Sequence, residues 1–167
     1  MLRRFSILKT GRLFLAAAAV SLVATSASAQ SAGTIVNVGP GFAGADASAS
    51  GHWTHTDTES RVAAGGGSLG RGLAIGAGPN GLSLSHSIGV NQGGVGVGHN
   101  FNLSIGRNGT HVSHGGVNTF GGNSQVIVGG QTSQNFGQIQ GGSHATGFGH
   151  RTHARTGAST HRFFRRW

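Results

Sequence analysis

The sequence predicts an all-β protein: a glycine-rich antiparallel β-meander built of hairpin repeats, between a disordered N-terminal segment and a basic C-terminal tail. Three observations predict it. First, apolar residues and imidazoles alternate with small or polar ones on both sides of Gln92-Gly93. Folding there sets Val90 against Val95, Ile88 against Val97, His86 against His99, Leu84 against Phe101 and Leu82 against Leu103. Side chains alternate faces along a strand, so such a mirror specifies a register as well as a strand. Second, Pro79-Asn80-Gly81 and Asn108-Gly109 are turn sequences between alternating runs, and Asn-Gly is a strong two-residue hairpin signal. Third, Ala74-Ile75-Gly76, Ser87-Ile88-Gly89 and Ser104-Ile105-Gly106 each precede a turn and then a Leu/Val-x-His triplet. Short repeats suit a solenoid or a meander. The mirror about one turn favours the meander.

Residues 1–29 read as a secretory signal peptide. Arg3, Arg4, Lys9 and Arg12 form a basic start, Leu13–Ala24 an apolar run, and Ala27-Ser28-Ala29 a small-residue cleavage site. The run is shorter than the roughly 20 residues of a membrane span. The expected location is therefore the periplasm, cell surface or exterior. Residues 30–67 read as irregular and Gly/Ala/Ser-rich, with one short strand over Thr34–Val38 and an alternating stretch over His52–Glu59. Residues 68–140 carry the meander. Its first strand shows Leu69, Arg71, Leu73, Ile75 and Ala77 on one face, and its last, weaker strands fall near Gln125–Val128 and Asn135–Gln140. Residues 141–167 lose the periodicity and read as a disordered tail rich in His, Arg, Thr and Gly.

Composition narrows function. The chain has 33 Gly, two Pro and no Cys. Of its 12 Lys+Arg, four precede residue 30, leaving eight arginines against the three acids Asp46, Asp57 and Glu59, a formal +5. A basic exported chain favours anionic cell-surface polymers or a membrane surface. No nucleic-acid motif is present, so nucleic acid is not an expected partner. A one-faced sheet needs a second layer on its apolar side, from the Thr34 and Gln125 strands or from another molecule. The Gly/Ser face could also pack closely on its own kind. Self-association, as oligomer or fibril, is the physical expectation.

Candidate chemistry rests on histidine. All ten His follow the leader, and imidazole suits Zn, Cu or Ni. The expected metal ligands are His86 with His99, opposed across the hairpin, or His55, Asp57 and Glu59, on one face of a short strand. The three His-x-Ser/Thr-His motifs, beginning at His52, His111 and His150, would each split their histidines between the two faces of a strand. Catalysis is not expected. Only three acids could orient a triad, and no G-x-S-x-G elbow occurs. In the tail, Arg162, Arg165 and Arg166 with Phe163, Phe164 and Trp167 form a basic aromatic cluster suited to an anionic surface.

The Asn/Gln/Gly strings of Asn123–Gly141 resemble those of curli-type amyloid subunits. The Ile-Gly-x-Asn units resemble heads of trimeric autotransporter adhesins, and the basic Gly-rich hairpins resemble attacin-like antibacterial proteins. Each resemblance covers a fraction of the chain and carries over no functional residue. The expected function is structural or adhesive, at a cell surface or in a matrix. The alternatives are a His-based metal-binding protein and a membrane-active basic β protein.

Overall fold

The computed structural model describes residues 30–107, 109–135 and 138–163. Among them are ten strands: β1 (Gln30–Gly39), β2 (Phe42–Ser50), β3 (Trp53–Val62), β4 (Ser68–Gly78), β5 (Gly81–Gln92), β6 (Val95–Gly106), β7 (Gly109–Phe120), β8 (Gln125–Asn135), β9 (Gln138–Phe148) and β10 (Arg151–Arg162). Every pairing is antiparallel. Residues 1–29, read from the sequence as a signal peptide, lie outside the described residues.

The strands form two stacked sheets, a four-stranded one of order β2-β1-β8-β9 and a six-stranded one of order β10-β7-β6-β5-β4-β3. Strands β3 to β7 are a continuous meander. The chain then crosses to the small sheet for β8 and β9 and returns as β10 beside β7. Strand β1 packs on β4 and β5, β8 on β5 and β6, and β9 on β7.

The all-β meander is present, and its extent exceeds the sequence reading at both ends. Residues 42–50, read as linker, are β2. Its alanines at 43, 45, 47 and 49 point inward and alternate with Gly44, Asp46, Ser48 and Ser50. Methyl groups are too small to announce an alternation against glycine and serine. Residues 141–162, read as disordered, complete β9 and form β10. Strand β10 pairs with β7 over twelve residues, and its Thr152, Thr156 and Thr160 are β-branched strand formers without hydrophobic contrast.

The central hairpin also differs in register. Gly93 and Gly94 take φ of 58° and 78°, the two positive values of a type I′ turn. The turn therefore closes between Gln92 and Val95, and the partners are Val90–Val97, Ile88–His99, His86–Phe101, Leu84–Leu103 and Leu82–Ile105. His86 and His99 are diagonal neighbours and not opposed. The next hairpin shifts likewise: folding at Asn108-Gly109 predicts Ile105 opposite Val112, and the structure sets Ile105 beside Thr110 and Leu103 beside Val112. A two-residue slip leaves every side chain on its own face.

The interior is made by the small-residue face of the six-stranded sheet. Ser83, Ser85, Ser87, Asn91, Asn100, Asn102, Ser104 and Ser113 are buried between the layers. The apolar content comes mainly from the small sheet: Val36, Val38, Val126 and Val128, with Val117 of β7, form the buried cluster. These valines fit because the facing strands offer glycine. A Cβ at Gly89 would lie 3.0 Å from Val36 Cγ1 and from Val38 Cγ2, tighter than ordinary contact. Beside the valines runs a polar network. Thr34 Oγ1 is 2.8 Å from Ser85 Oγ and 2.7 Å from Ser87 Oγ. Ser85 Oγ donates to Asn102 Oδ1 at 2.6 Å, and Asn102 Nδ2 donates to Ser143 Oγ at 2.9 Å. Asn100 Nδ2 donates to the carbonyls of Gly129 and His144. Buried polar groups are tolerated where partners of this kind satisfy them.

The second layer is thus supplied by the Thr34 and Gln125 strands, as the sequence suggests, but on the Gly/Ser/Asn face. The larger apolar side chains remain on the outside.

Candidate interaction surface

The outer face of the six-stranded sheet is an apolar field. Across β4, β5, β6 and β7 it shows successive rows: Ala77, Leu82, Ile105, Thr110; Ile75, Leu84, Leu103, Val112; Leu73, His86, Phe101, His114; Arg71, Ile88, His99, Gly116; Leu69, Val90, Val97, Asn118. None of these apolar side chains is buried. Val97 keeps 48% of its surface and Ile105 44%. Soluble monomers rarely leave a contiguous apolar patch beyond a few hundred Å². The outer face of the small sheet is more polar, carrying Asn37, Asp46, Ser48, Gln131, Gln138, Gln140 and His144, with Ile35, Ile127, Phe42 and Phe148 as its apolar residues.

The rim is charged with both signs. Trp53, His55, Asp57, Glu59 and Arg61 project from β3, while Arg151, His153, Arg155 and His161 project from β10. Arg71 Nη2 donates to Asp57 Oδ2 at 2.6 Å and lies 3.7 Å from Glu59 Oε2. Arg61 Nε meets Glu59 Oε1 at 2.5 Å. Both carboxylates proposed as ligands beside His55 therefore face arginine, and the His55 ring stacks on Trp53 at 6.3 Å. Among the described residues of one chain, no group of three or more His, Cys, Asp or Glu is placed to hold a metal.

His86 and His99 occupy the middle of the field. Partial burial holds the His86 pKa below its usual value, with smaller contributions from Arg71 and then His99. The His-x-Ser-His motif of β7 divides as strand geometry requires: His111 points inward and His114 outward. His111 Nδ1 is 2.7 Å from Thr160 Oγ1, its Nε2 is buried without a partner, and burial lowers its pKa. Of the tail cluster, Arg162 ends β10 and Phe163 packs edge-on to His161 at 6.1 Å. Phe164, Arg165, Arg166 and Trp167 lie outside the described residues. An open hollow beside the rim is lined by Phe120, Gly121, His150, Arg151, Thr152 and His153.

Fold and surface together define a two-layered antiparallel β-sandwich with one apolar and one largely polar outer face. No family model, curated protein or solved structure matches the chain.

Sequence reasoning collected the residues of this face correctly and missed its outward orientation. It also missed the Asn100–Asn102 network. A signal for both was present: the alternate face of β6 carries two asparagines, side chains that need partners and find them in an opposing polypeptide layer.

Proposed function

We propose that this chain is an exported structural or adhesive β protein that works by laying the outer face of its six-stranded sheet on a second surface. One observation carries the reading: a broad apolar face is left uncovered although a complete second layer exists. The signal-like first 29 residues support export to the periplasm, cell surface or exterior. The arginines of β10, with Arg162, Arg165, Arg166, Phe163, Phe164 and Trp167, supply attraction to anionic cell-surface polymers or membrane headgroups. No catalytic role belongs to this reading.

Analytical ultracentrifugation across a hundredfold concentration range tests it. The chain should associate without added metal, and Leu84→Asp, which puts a charge in the middle of the field and leaves the interior untouched, should weaken association at least tenfold while the β-sheet circular dichroism persists. A wild-type chain that stays monomeric at the highest concentration and ignores anionic polymer would sink the proposal.

A further inference from the structure

We propose that the occupant of the outer face is a second copy of this chain, and that His86 and His99 of the two copies together form a zinc site on the dimer axis. The inference deepens the association reading and rests on it.

The first ground is position. Strands β5 and β6 are the two central strands of six. His86 and His99 lie in adjacent rows near mid-length of those strands, on a diagonal. Diagonal neighbours are about 7–8 Å apart at Cα and closer at their side chains. One copy thus offers two imidazoles at the middle of its face, half of a four-coordinate set.

The second ground is symmetry. Homodimers are commonly twofold. A twofold through the middle of this face, directed either along the strands or across them, lays the partner's His86 and the partner's His99 over the opposite diagonal. Two imidazoles above on one diagonal and two below on the other mark alternate corners of a box. That is a tetrahedral disposition, which zinc adopts and the tetragonal preference of Cu(II) does not match. The nearest cation, Arg71, is already turned to Asp57 and Glu59.

The third ground selects a copy over a lipid surface. Both acids of the face, Asp57 and Glu59, stand on edge strand β3, and Arg151 and Arg155 stand on the opposite edge, β10. A twofold along the strands lays β3 over the partner's β10. Glu59 and Arg155 share a row through Arg71, Ile88, His99 and Gly116, so Glu59 then faces the partner's Arg155. Arg71 faces the partner's Gly116, where no side chain obstructs it. An anionic membrane would engage the arginines of β10 and gain nothing from the acids of β3, which Arg61 and Arg71 already meet. Size also suffices: six strands about 4.8 Å apart and some eleven residues long at about 3.3 Å each span roughly 900 Å², near the ~800 Å² per partner of a standard stable interface.

Ultracentrifugation of the purified chain in EDTA and in ZnCl2, with zinc titration calorimetry and Co2+ absorption, tests the inference. Zinc should tighten the dimer at least tenfold at one ion per two chains, and Co2+ should give the intense visible bands of tetrahedral coordination. His86→Ala and His99→Ala should each abolish the zinc response and keep metal-free association. One zinc per single chain, or an undiminished response in the double variant, would overturn the site. Monomers that bind phosphatidylglycerol vesicles through the Leu84 face would overturn the second copy as occupant. Metal-free association that fails while zinc still dimerises the wild type removes the apolar reading alone and upholds the site.

Discussion

Gly70→Ala isolates the packing rule on which the interior depends. Gly70 is an inward position of β4, and its added Cβ would stand 2.7 Å from Val36 Cγ1, 3.1 Å from Gly44 O and 3.2 Å from Val38 Cγ1. Two of these neighbours belong to the buried valine cluster, and the third is backbone, so none can swing aside. Overpacking of this kind costs about 1–3 kcal/mol. Replacing glycine in a strand returns about 0.5–1 kcal/mol of conformational entropy. The net expectation is a loss of roughly 0.5–2 kcal/mol. Gly142→Ala is the matched control. It sits in β9, where an added Cβ meets nothing within 4 Å, so only the entropic gain remains and the chain should be unchanged or slightly stabilised. Urea unfolding followed by far-ultraviolet circular dichroism reads both midpoints. Adding Val36→Ala to Gly70→Ala should cost less than the sum of the single losses, by a coupling of about 0.5–3 kcal/mol. If Gly70→Ala matches wild type while Gly142→Ala does not exceed it, the sheets are not locked valine into glycine and the layer assignment is wrong.

Asn102→Ala should destabilise by about 1–3 kcal/mol, because Ser85 Oγ and Ser143 Oγ lose a buried partner at once; the same unfolding measurement checks it. Asp57→Asn should cost less than about 1 kcal/mol, since the Asp57 and Arg71 side chains keep 45% and 43% of their surface; a double-mutant cycle with Arg71→Gln reads the pair. Stability should also depend on pH through His111. Its pKa is lower in the folded chain, so the unfolded chain takes up the proton first. The contribution of neutral His111 is complete above the unfolded value near 6.5 and is lost as pH falls through that value toward the lower folded one. His111→Gln should flatten the slope of unfolding midpoint against pH in that window; an unaltered slope would refute the assignment to His111.

Which residues share a face was legible because alternation survives a two-residue slip. The mirror about Gln92-Gly93 put the wrong partners together, yet Leu84, His86 and Ile88 still fell on one side with Val97, His99 and Phe101. The turn itself decided the slip. Two consecutive glycines at 93 and 94 both take positive φ and form the two-residue loop, whereas a turn centred on Gln92-Gly93 would put the non-glycine Gln92 in a loop position that favours positive φ. Which side meets the second layer was not legible from β4–β7 alone. Apolar residues are usually inside, and here the inward apolar groups belong to β1 and β8, whose valines need the hollows that Gly70, Gly89 and Gly98 provide. Alanine in β2 and threonine in β10 escaped notice because strand pattern is read from hydrophobic contrast, and these residues have little. For the candidate site, the acids of β3 and the central histidines were found by type, while their grouping across strands needed the true register.

The unlike outer faces limit how large an assembly can grow. On the proposed pairing the apolar field is used up, and each partner presents its more polar back, where Phe42, Ile35, Ile127 and Phe148 are the apolar exceptions. Along the borders, β2 lies beside β3 and β9 beside β10, each pair bringing together the end strands of the two sheets. On the proposed reading, an extended network would be knitted through the arginine-rich ends, with the pair as brick and an anionic polymer as mortar.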